Sequence, residues 1–201
     1  MNSVQSPGLF IKALQRVCLV VSLLVGFAGP SQGATPVRET VARQVLATPD
    51  SLRTHTLHLL SRGQLTEAID YWVLTTGKEA PAWLLGLKTA FDGRQQVAGA
   101  CQGVARSIHL AFTRLGSKPE LVELRTLSRS DDKFSYIVFR MPSGRDMLLT
   151  DNGYHVLVRR DGRAYDAYTG ASGMPWGEYL SRLGARSEIV QKVIESMTEA
   201  P

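Results

Sequence analysis

The chain has 201 residues, with 23 lysine and arginine residues against 18 aspartate and glutamate residues, and a formal net charge of +5. The basic residues are scattered, and no dense basic block alternates with aromatic residues, so the composition argues against a nucleic-acid-binding protein. The sequence shows no internal repeat and no low-complexity tract.

The first 34 residues predict a secretory signal peptide. Lys12 and Arg16 supply the positive region, an apolar run over residues 17–28 follows, and small residues come next at 31–34. The apolar run is too short to cross a bilayer. We therefore expect an exported protein, periplasmic or secreted, with no stable membrane span after cleavage; an uncleaved N-terminal anchor is the alternative.

Cleavage of this signal would leave a single cysteine. Cys18 is removed with the signal, and the loss of Lys12 and Arg16 lowers the formal charge by two, from +5 to +3. Exported proteins normally pair their cysteines in disulfides. The unpaired Cys101 therefore requires a separate reason, and the sequence leaves two: a reactive thiol or a small buried core residue.

Helical patterns occupy residues 35–92, which we treat as a helical N-terminal segment. It contains an amphipathic stretch over 35–47, a helix from Asp50 or Ser51 to Leu60, a helix over 66–75 and a third helix that starts at Pro81. Gly63 and Gly77 suit the positions just after two of these helices. A pro-region or docking element that covers a functional site is the alternative role for this segment.

The pattern changes after Asp92-Gly93, and residues 93–201 form the predicted second unit. Apolar residues recur at helical spacing over 101–115. Segments with strand character follow at 121–125, 134–139, 145–150, 155–159 and 164–168, and two helices are predicted at 175–183 and 187–197. Helices followed by an antiparallel sheet indicate the α+β class.

Asp161-Gly162 predicts a two-residue hairpin turn. This turn fixes a register that pairs Arg160 with Arg163, Leu157 with Asp166 and His155 with Tyr168. His155 and Asp166 then become diagonal neighbours on one face of the sheet, within reach of each other. The same register places Val156 and Val158 on the opposite, buried face.

These residues form a set suited to nucleophilic catalysis. Cys101 lies at a predicted helix N-terminus, which favours the thiolate. His155 would act as base and then as acid, and Asp166 would orient its ring. The alternatives are a hydrogen-bonded sheet histidine for His155 and membership of a turn at the end of the strand for Asp166. The backbone N–H of Cys101 and a side-chain amide would bind the oxyanion; Gln95 is the preferred amide, and Gln96 stays open as the alternative.

Gln95, Cys101, His155 and Asp166 together resemble the papain-like fold, and most closely its compact bacterial toxin and peptidase domains. The segment 99–105 looks like the nucleophile helix of that family, and the segment 154–170 looks like its histidine strand, turn and aspartate strand. The resemblance covers about residues 94–172. The tryptophan that often follows the cysteine of papain is absent, and an aspartate stands where papain uses an asparagine.

The resemblance implies a papain-like catalytic domain over 93–201, in which a nucleophile helix packs on a small antiparallel sheet with C-terminal helices. It implies an exported thiol-dependent amide hydrolase, either a cysteine peptidase or a glutamine deamidase, that uses a Cys-His-Asp triad. A toxin or effector role would bring a protein or peptide substrate and a cognate immunity or inhibitor protein. The alternative is a catalytically inactive papain-fold binding or adaptor protein of the cell envelope.

No cofactor or metal is expected. His55 and His58 lie three residues apart on a predicted helix, but no acidic residue at a matching spacing completes a metal site. An exposed helical face is therefore the preferred interpretation of these two histidines.

Overall fold

A computed structural model describes residues 49–127 and 135–197 of the chain. The predicted signal peptide, Cys18 and the amphipathic stretch 35–47 lie outside the described residues, and these assignments stay predictions. Among the helices in the described part, none combines the length and the apolar character that a membrane crossing requires.

Helices form the first part of the described chain, as the sequence predicts. They are α1 (Pro49–Ser61), α2 (Leu65–Thr76) and α3 (Ala82–Ala90). A short 3-10 turn, Gly93–Gln95, leads towards α4 (Cys101–Arg114), so Cys101 does begin a helix. Gly99, with a φ of 86°, turns the chain just before α4, in a backbone conformation that favours glycine.

The strands assemble into two antiparallel sheets. They are β1 (Glu120–Thr126), β2 (Ile137–Arg140), β3 (Asp146–Thr150), β4 (Tyr154–Arg160), β5 (Arg163–Tyr165), β6 (Met174–Pro175), β7 (Leu183–Ala185) and β8 (Ile189–Ile194), with a short helix α5 (Trp176–Ser181) before β7. One sheet has the order β6-β5-β4-β1-β8 and the other has the order β3-β2-β7. The α+β class is therefore confirmed.

Both faces of the larger sheet are buried along β4, whereas its edge strand β8 is mostly exposed. On one face, Val156 and Val158 share a hydrophobic cluster with residues of all four long helices, among them Leu84 and Ile108. On the other face, Leu157 belongs to a second cluster with the smaller sheet. The sequence predicted burial of the first face only. A second sheet that covers the histidine face would be indicated in β4 only by a continuous run of apolar residues.

The end of the chain departs from the prediction. The helix predicted over 175–183 is partly correct, since α5 covers Trp176–Ser181. The helix predicted over 187–197 is wrong: Ile189–Ile194 forms the edge strand β8, which pairs with β1. Its β-branched residues favour a strand, and the free edge of β1 supplies the hydrogen-bonding partner.

The β4–β5 hairpin has the predicted turn. Asp161 and Gly162 both have positive φ values, 49° and 71°, as a two-residue turn between twisted strands requires. Arg160 pairs with Arg163 in the predicted register, and the pairing continues as far as Val158 and Tyr165.

The predicted pairing then stops three pairs early, after Val158 and Tyr165. Neither Leu157 with Asp166 nor His155 with Tyr168 is paired in the ladder of the described strands. The reason is local, because a carboxylate oxygen of Asp166 accepts the backbone N–H groups of Tyr168 and Thr169 at 2.8 and 3.1 Å. This turn bends the chain away from β4 and leaves one side of the first half of β4 without a strand.

Candidate active site

One small cavity lies beside the unpaired half of β4, and all four residues predicted for the site line it. These are Gln95, Cys101, His155 and Asp166, joined by Val97, Val104, Leu149, Ala167 and Tyr168. The volume of the cavity is about 10 Å³, close to the space of one water molecule. Residues far apart in sequence therefore meet where the N-terminus of α4 reaches the start of β4; their catalytic roles stay predictions.

The Cys101 thiol is partly buried and has a lowered pKa. Burial is the largest single effect and raises the pKa of this thiol, whereas hydrogen bonding to His155 and the charge of His155 lower it. The backbone N–H groups of Val156 and Gln102 lower it further. The Val156 contribution follows from the fold, since this stretch of β4 has no neighbouring strand on the β5 side. The net effect favours the thiolate.

The His155 side chain is buried and has a pKa raised to about 9. Burial alone lowers the pKa of an imidazole, and the nearby Asp166 and Cys101 reverse that effect. Its Nε2 atom lies 3.4 Å from Oδ2 of Asp166. Its Nδ1 atom is buried and has no partner of ordinary hydrogen-bond geometry among the described residues. The interaction with Cys101 is therefore a loose one, as the weak hydrogen bonds of sulfur allow.

Asp166 is held by more groups than the sequence suggested. Besides the two N–H groups of the turn, its own backbone N–H donates to Oγ1 of Thr169 at 2.9 Å. Its second carboxylate oxygen faces His155 and is almost fully buried. The carboxylate is thus fixed on one side by the backbone and directed on the other side at the imidazole.

The two neighbouring glutamines have different surroundings. Gln95 lines the cavity. Nε2 of Gln96 instead donates a hydrogen bond of 2.9 Å to the backbone carbonyl of Ala167. Gln96 thereby connects the loop before α4 to the turn after β5, and Gln95 is the one of the two that lines the cavity.

Tyr179 of α5 belongs to this cluster, and sequence reasoning missed it. Its hydroxyl donates to Oδ2 of Asp166 at 2.7 Å and lies 3.2 Å from Nε2 of His155. The side chain is fully buried, and burial together with Asp166 raises its pKa well above the usual value. The sequence shows only that Tyr179 lies at an apolar position of the helix predicted over 175–183. That position carries no information about the contact with Asp166 and His155.

A second, more open cavity adjoins the first. Its volume is about 300 Å³, and its lining includes Gly86, Gly103 and Ser107. Gln95 and Val104 line both cavities. This cleft therefore lies beside the small cavity that Cys101 lines.

The described residues hold no group of three or more histidine, cysteine, aspartate and glutamate side chains arranged around a metal position. The rings of His55 and His58 lie 6.3 Å apart, and that of His55 packs on Tyr71 at 4.1 Å. These two histidines thus take part in aromatic contacts on α1 and α2.

Comparison of the chain with protein-family models, with curated proteins and with solved structures found no match.

Proposed function

We propose that the chain is an exported papain-like cysteine hydrolase that acts on an amide of a protein or peptide. The observation that carries the proposal is the pair of opposite shifts around one cavity: the pKa of Cys101 is lowered, whereas the pKa of His155 is raised to about 9. Such shifts favour a thiolate beside an imidazolium, which is the reactive form of a thiol nucleophile.

The reaction would proceed in two halves. The Cys101 thiolate attacks the amide carbon, and a carbon–sulfur bond forms while Gln95 and the Cys101 N–H hold the oxyanion. His155 then donates its proton to the nitrogen, the carbon–nitrogen bond breaks, and a thioester remains. Next, His155 takes a proton from water, the hydroxide attacks the thioester carbon, and the carbon–sulfur bond breaks to release the carboxylic acid.

The leaving group defines two versions of this activity. A peptide bond would release an amine, as in a peptidase, and a glutamine side chain would release ammonia, as in a deamidase. The role of a toxin or effector, with a protein substrate and a cognate immunity or inhibitor protein, rests on the papain-like resemblance alone.

Thiol reactivity tests the proposal without a known substrate. In a chain that starts at residue 35, Cys101 is the sole cysteine, so iodoacetamide reports on it alone. We expect rapid alkylation below pH 7 that slows at least about tenfold in His155→Gln, because the pKa of Cys101 then rises. His109→Gln, on the same helix as Cys101, is the matched control. Equal rates in all three proteins would refute the thiolate–imidazolium pair.

A substrate screen tests the amide chemistry. The protein is incubated with a bacterial proteome, and mass spectrometry records new peptide termini and deamidated glutamines. Either product should depend on Cys101 and disappear in Cys101→Ala. Products that persist in Cys101→Ala would exclude Cys101 as the nucleophile.

The size of the first cavity favours a second candidate, a papain-fold binding or adaptor protein without catalysis. A space of about 10 Å³ admits little more than a water molecule, so a substrate must enter from the adjoining cleft. Rapid alkylation combined with no Cys101-dependent product in the proteome screen would favour this candidate.

A further inference from the structure

The hydroxyl of Tyr179 stands between the carboxylate of Asp166 and the ring of His155. It is 2.7 Å from Oδ2 of Asp166 and 3.2 Å from Nε2 of His155. The direct distance from Nε2 of His155 to the same Oδ2 atom is longer, at 3.4 Å. The imidazole therefore has a neutral oxygen as its nearer neighbour and the charged oxygen as its more distant one.

The donor and acceptor roles in this triangle follow from chemistry. An ionised carboxylate only accepts, so the single proton of the Tyr179 hydroxyl goes to Asp166. The phenol oxygen is then free to accept the Nε2–H of His155. This arrangement leaves Nδ1 of His155 as the nitrogen that exchanges a proton with Cys101.

We propose that Tyr179 is a positioning residue that orients His155 and shields it from part of the charge of Asp166. The proposal rests on the proposed function, since it concerns how easily His155 gives up its proton. A hydrogen bond donated to a carboxylate weakens the attraction of that carboxylate for a neighbouring cation. An imidazolium held by the full charge of Asp166 would be a poorer acid towards the leaving nitrogen.

The surroundings of Tyr179 hold its hydroxyl in place. Its ring stacks with Trp176 at a centroid distance of 6.1 Å and packs on Phe139 at 5.3 Å. The other oxygen of Asp166 is occupied by the backbone of the turn. The ring contacts thus restrict the movement of the Tyr179 side chain, and the backbone hydrogen bonds restrict the rotation of the carboxylate.

Among the described residues, few polar groups share the surroundings of His155, so its titration can be assigned to a small set; Gln95 is one of them. The start of α4 contributes Cys101, the turn after β5 contributes Asp166 and Tyr168, and α5 contributes Tyr179. Directly across the sheet, β1 presents the apolar Leu124.

The first test is Tyr179→Phe, which removes the hydroxyl and keeps the ring. The alkylation rate of Cys101 is recorded across pH, together with the imidazole signals of His155 in nuclear magnetic resonance spectra. The basic inflection, where His155 loses its proton, should move up by about half a unit to one unit, because Asp166 is unshielded. Turnover of an amide substrate should fall about threefold to tenfold.

Tyr165→Phe is the matched control, because it removes the hydroxyl of another buried tyrosine that packs on Phe112 away from the site. It should leave the basic inflection unchanged. A basic inflection in Tyr179→Phe that is unchanged, or that moves to lower pH, would overturn the proposal.

A ring-fluorinated tyrosine at position 179 provides a second test that does not remove the hydroxyl. Fluorine makes the phenol a stronger donor to Asp166 and a weaker acceptor for His155, so the basic inflection should move down. A shift in the same direction as Tyr179→Phe, or no shift, would contradict shielding. Failure of the proposed function would give a different result from failure of the shielding proposal. In that case the alkylation profile of the wild-type protein would lack the acidic inflection of a thiol with a lowered pKa.

Discussion

Gln95 and Gln96 are adjacent in sequence, yet their amides have different surroundings. Gln95 lines the cavity with Cys101, whereas Gln96 binds the Ala167 carbonyl. If Gln95 is an oxyanion donor, Gln95→Ala should lower kcat about 100-fold to 1000-fold and leave KM nearly unchanged. Steady-state kinetics on a substrate from the proteome screen would measure both constants.

Gln96→Ala is the matched control for this prediction. It should lower the free energy of unfolding by about 1 kcal/mol, the typical value of one hydrogen bond, with a much smaller loss of kcat. A larger loss of kcat in Gln96→Ala than in Gln95→Ala would reverse the assignment.

Sequence reasoning located the cluster of Cys101, His155 and Asp166 because one strong local signal fixed the hairpin. Asp161-Gly162 returns the chain alongside β4 and sets the register as far as Val158 and Tyr165. Beyond that point a turn at Asp166, and not strand pairing, holds its carboxylate near His155. Tyr179 was not predictable in the same way. Its contact depends on how α5 packs over the sheet, and no short-range pattern in the sequence encodes that placement.

At the scale of elements, two glycines next to β4 carry different constraints. Gly162 lies in the hairpin turn, and a Cβ atom there would meet nothing within 4 Å. Gly153 precedes β4, and its Cβ would lie 2.8 Å from Cβ of Ser135 and closer still to the hydroxyl of Thr126. Both glycines have positive φ values, so replacing either one by alanine strains the backbone. Only the alanine at position 153 would also overlap neighbouring side chains.

We therefore expect Gly162→Ala to lower the free energy of unfolding by about 1–2 kcal/mol, from backbone strain alone. Gly153→Ala should lower the free energy of unfolding by about 1–3 kcal/mol more, because the side chains of Thr126 and Ser135 must also move. Equilibrium unfolding in urea would measure both values. Equal losses in the two variants would show that Thr126 and Ser135 move aside without cost.

The strand β8 shows where element prediction fails. Ile189–Ile194 is a short run of apolar and polar residues whose spacing fits either a helix or a strand. A distant part of the chain determines the conformation of this segment, because β1 has an edge with which the segment can pair as a strand. The earlier helices were predictable because glycines mark the ends of α1 and α2, and their apolar spacing is regular.

At the scale of the whole molecule, the two shifted groups have opposite effects on the pH dependence of stability. The folded pKa of His155 is raised from 6.5 to about 9, so its stabilisation is complete below pH 6.5 and is lost as the pH rises to about 9. The folded pKa of Cys101 is lowered from 9.0, so its stabilisation is present above pH 9 and is lost as the pH falls.

In the part of the range below pH 9 where both groups titrate, these two slopes oppose each other in the wild-type protein. Cys101→Ser removes the thiol slope, so its free energy of unfolding should fall more steeply with rising pH across this window. The difference in slope is at most about 1.4 kcal/mol per pH unit, the limit for one proton. Urea unfolding at several pH values would measure both curves, and parallel curves would contradict the coupling.

The candidate site is assembled from a helix start, a strand and a turn that are distant in the chain. The polar environment that lowers the pKa of Cys101 depends on His155 and on the N–H of Val156, which approach it only when α4 has packed against β4. Contacts between residues so far apart in sequence require the closure of long loops and therefore form slowly. If the protein is exported as proposed, a chain that has not yet folded would carry an ordinary, weakly reactive thiol. The reactivity proposed for Cys101 would then begin only once the chain has folded.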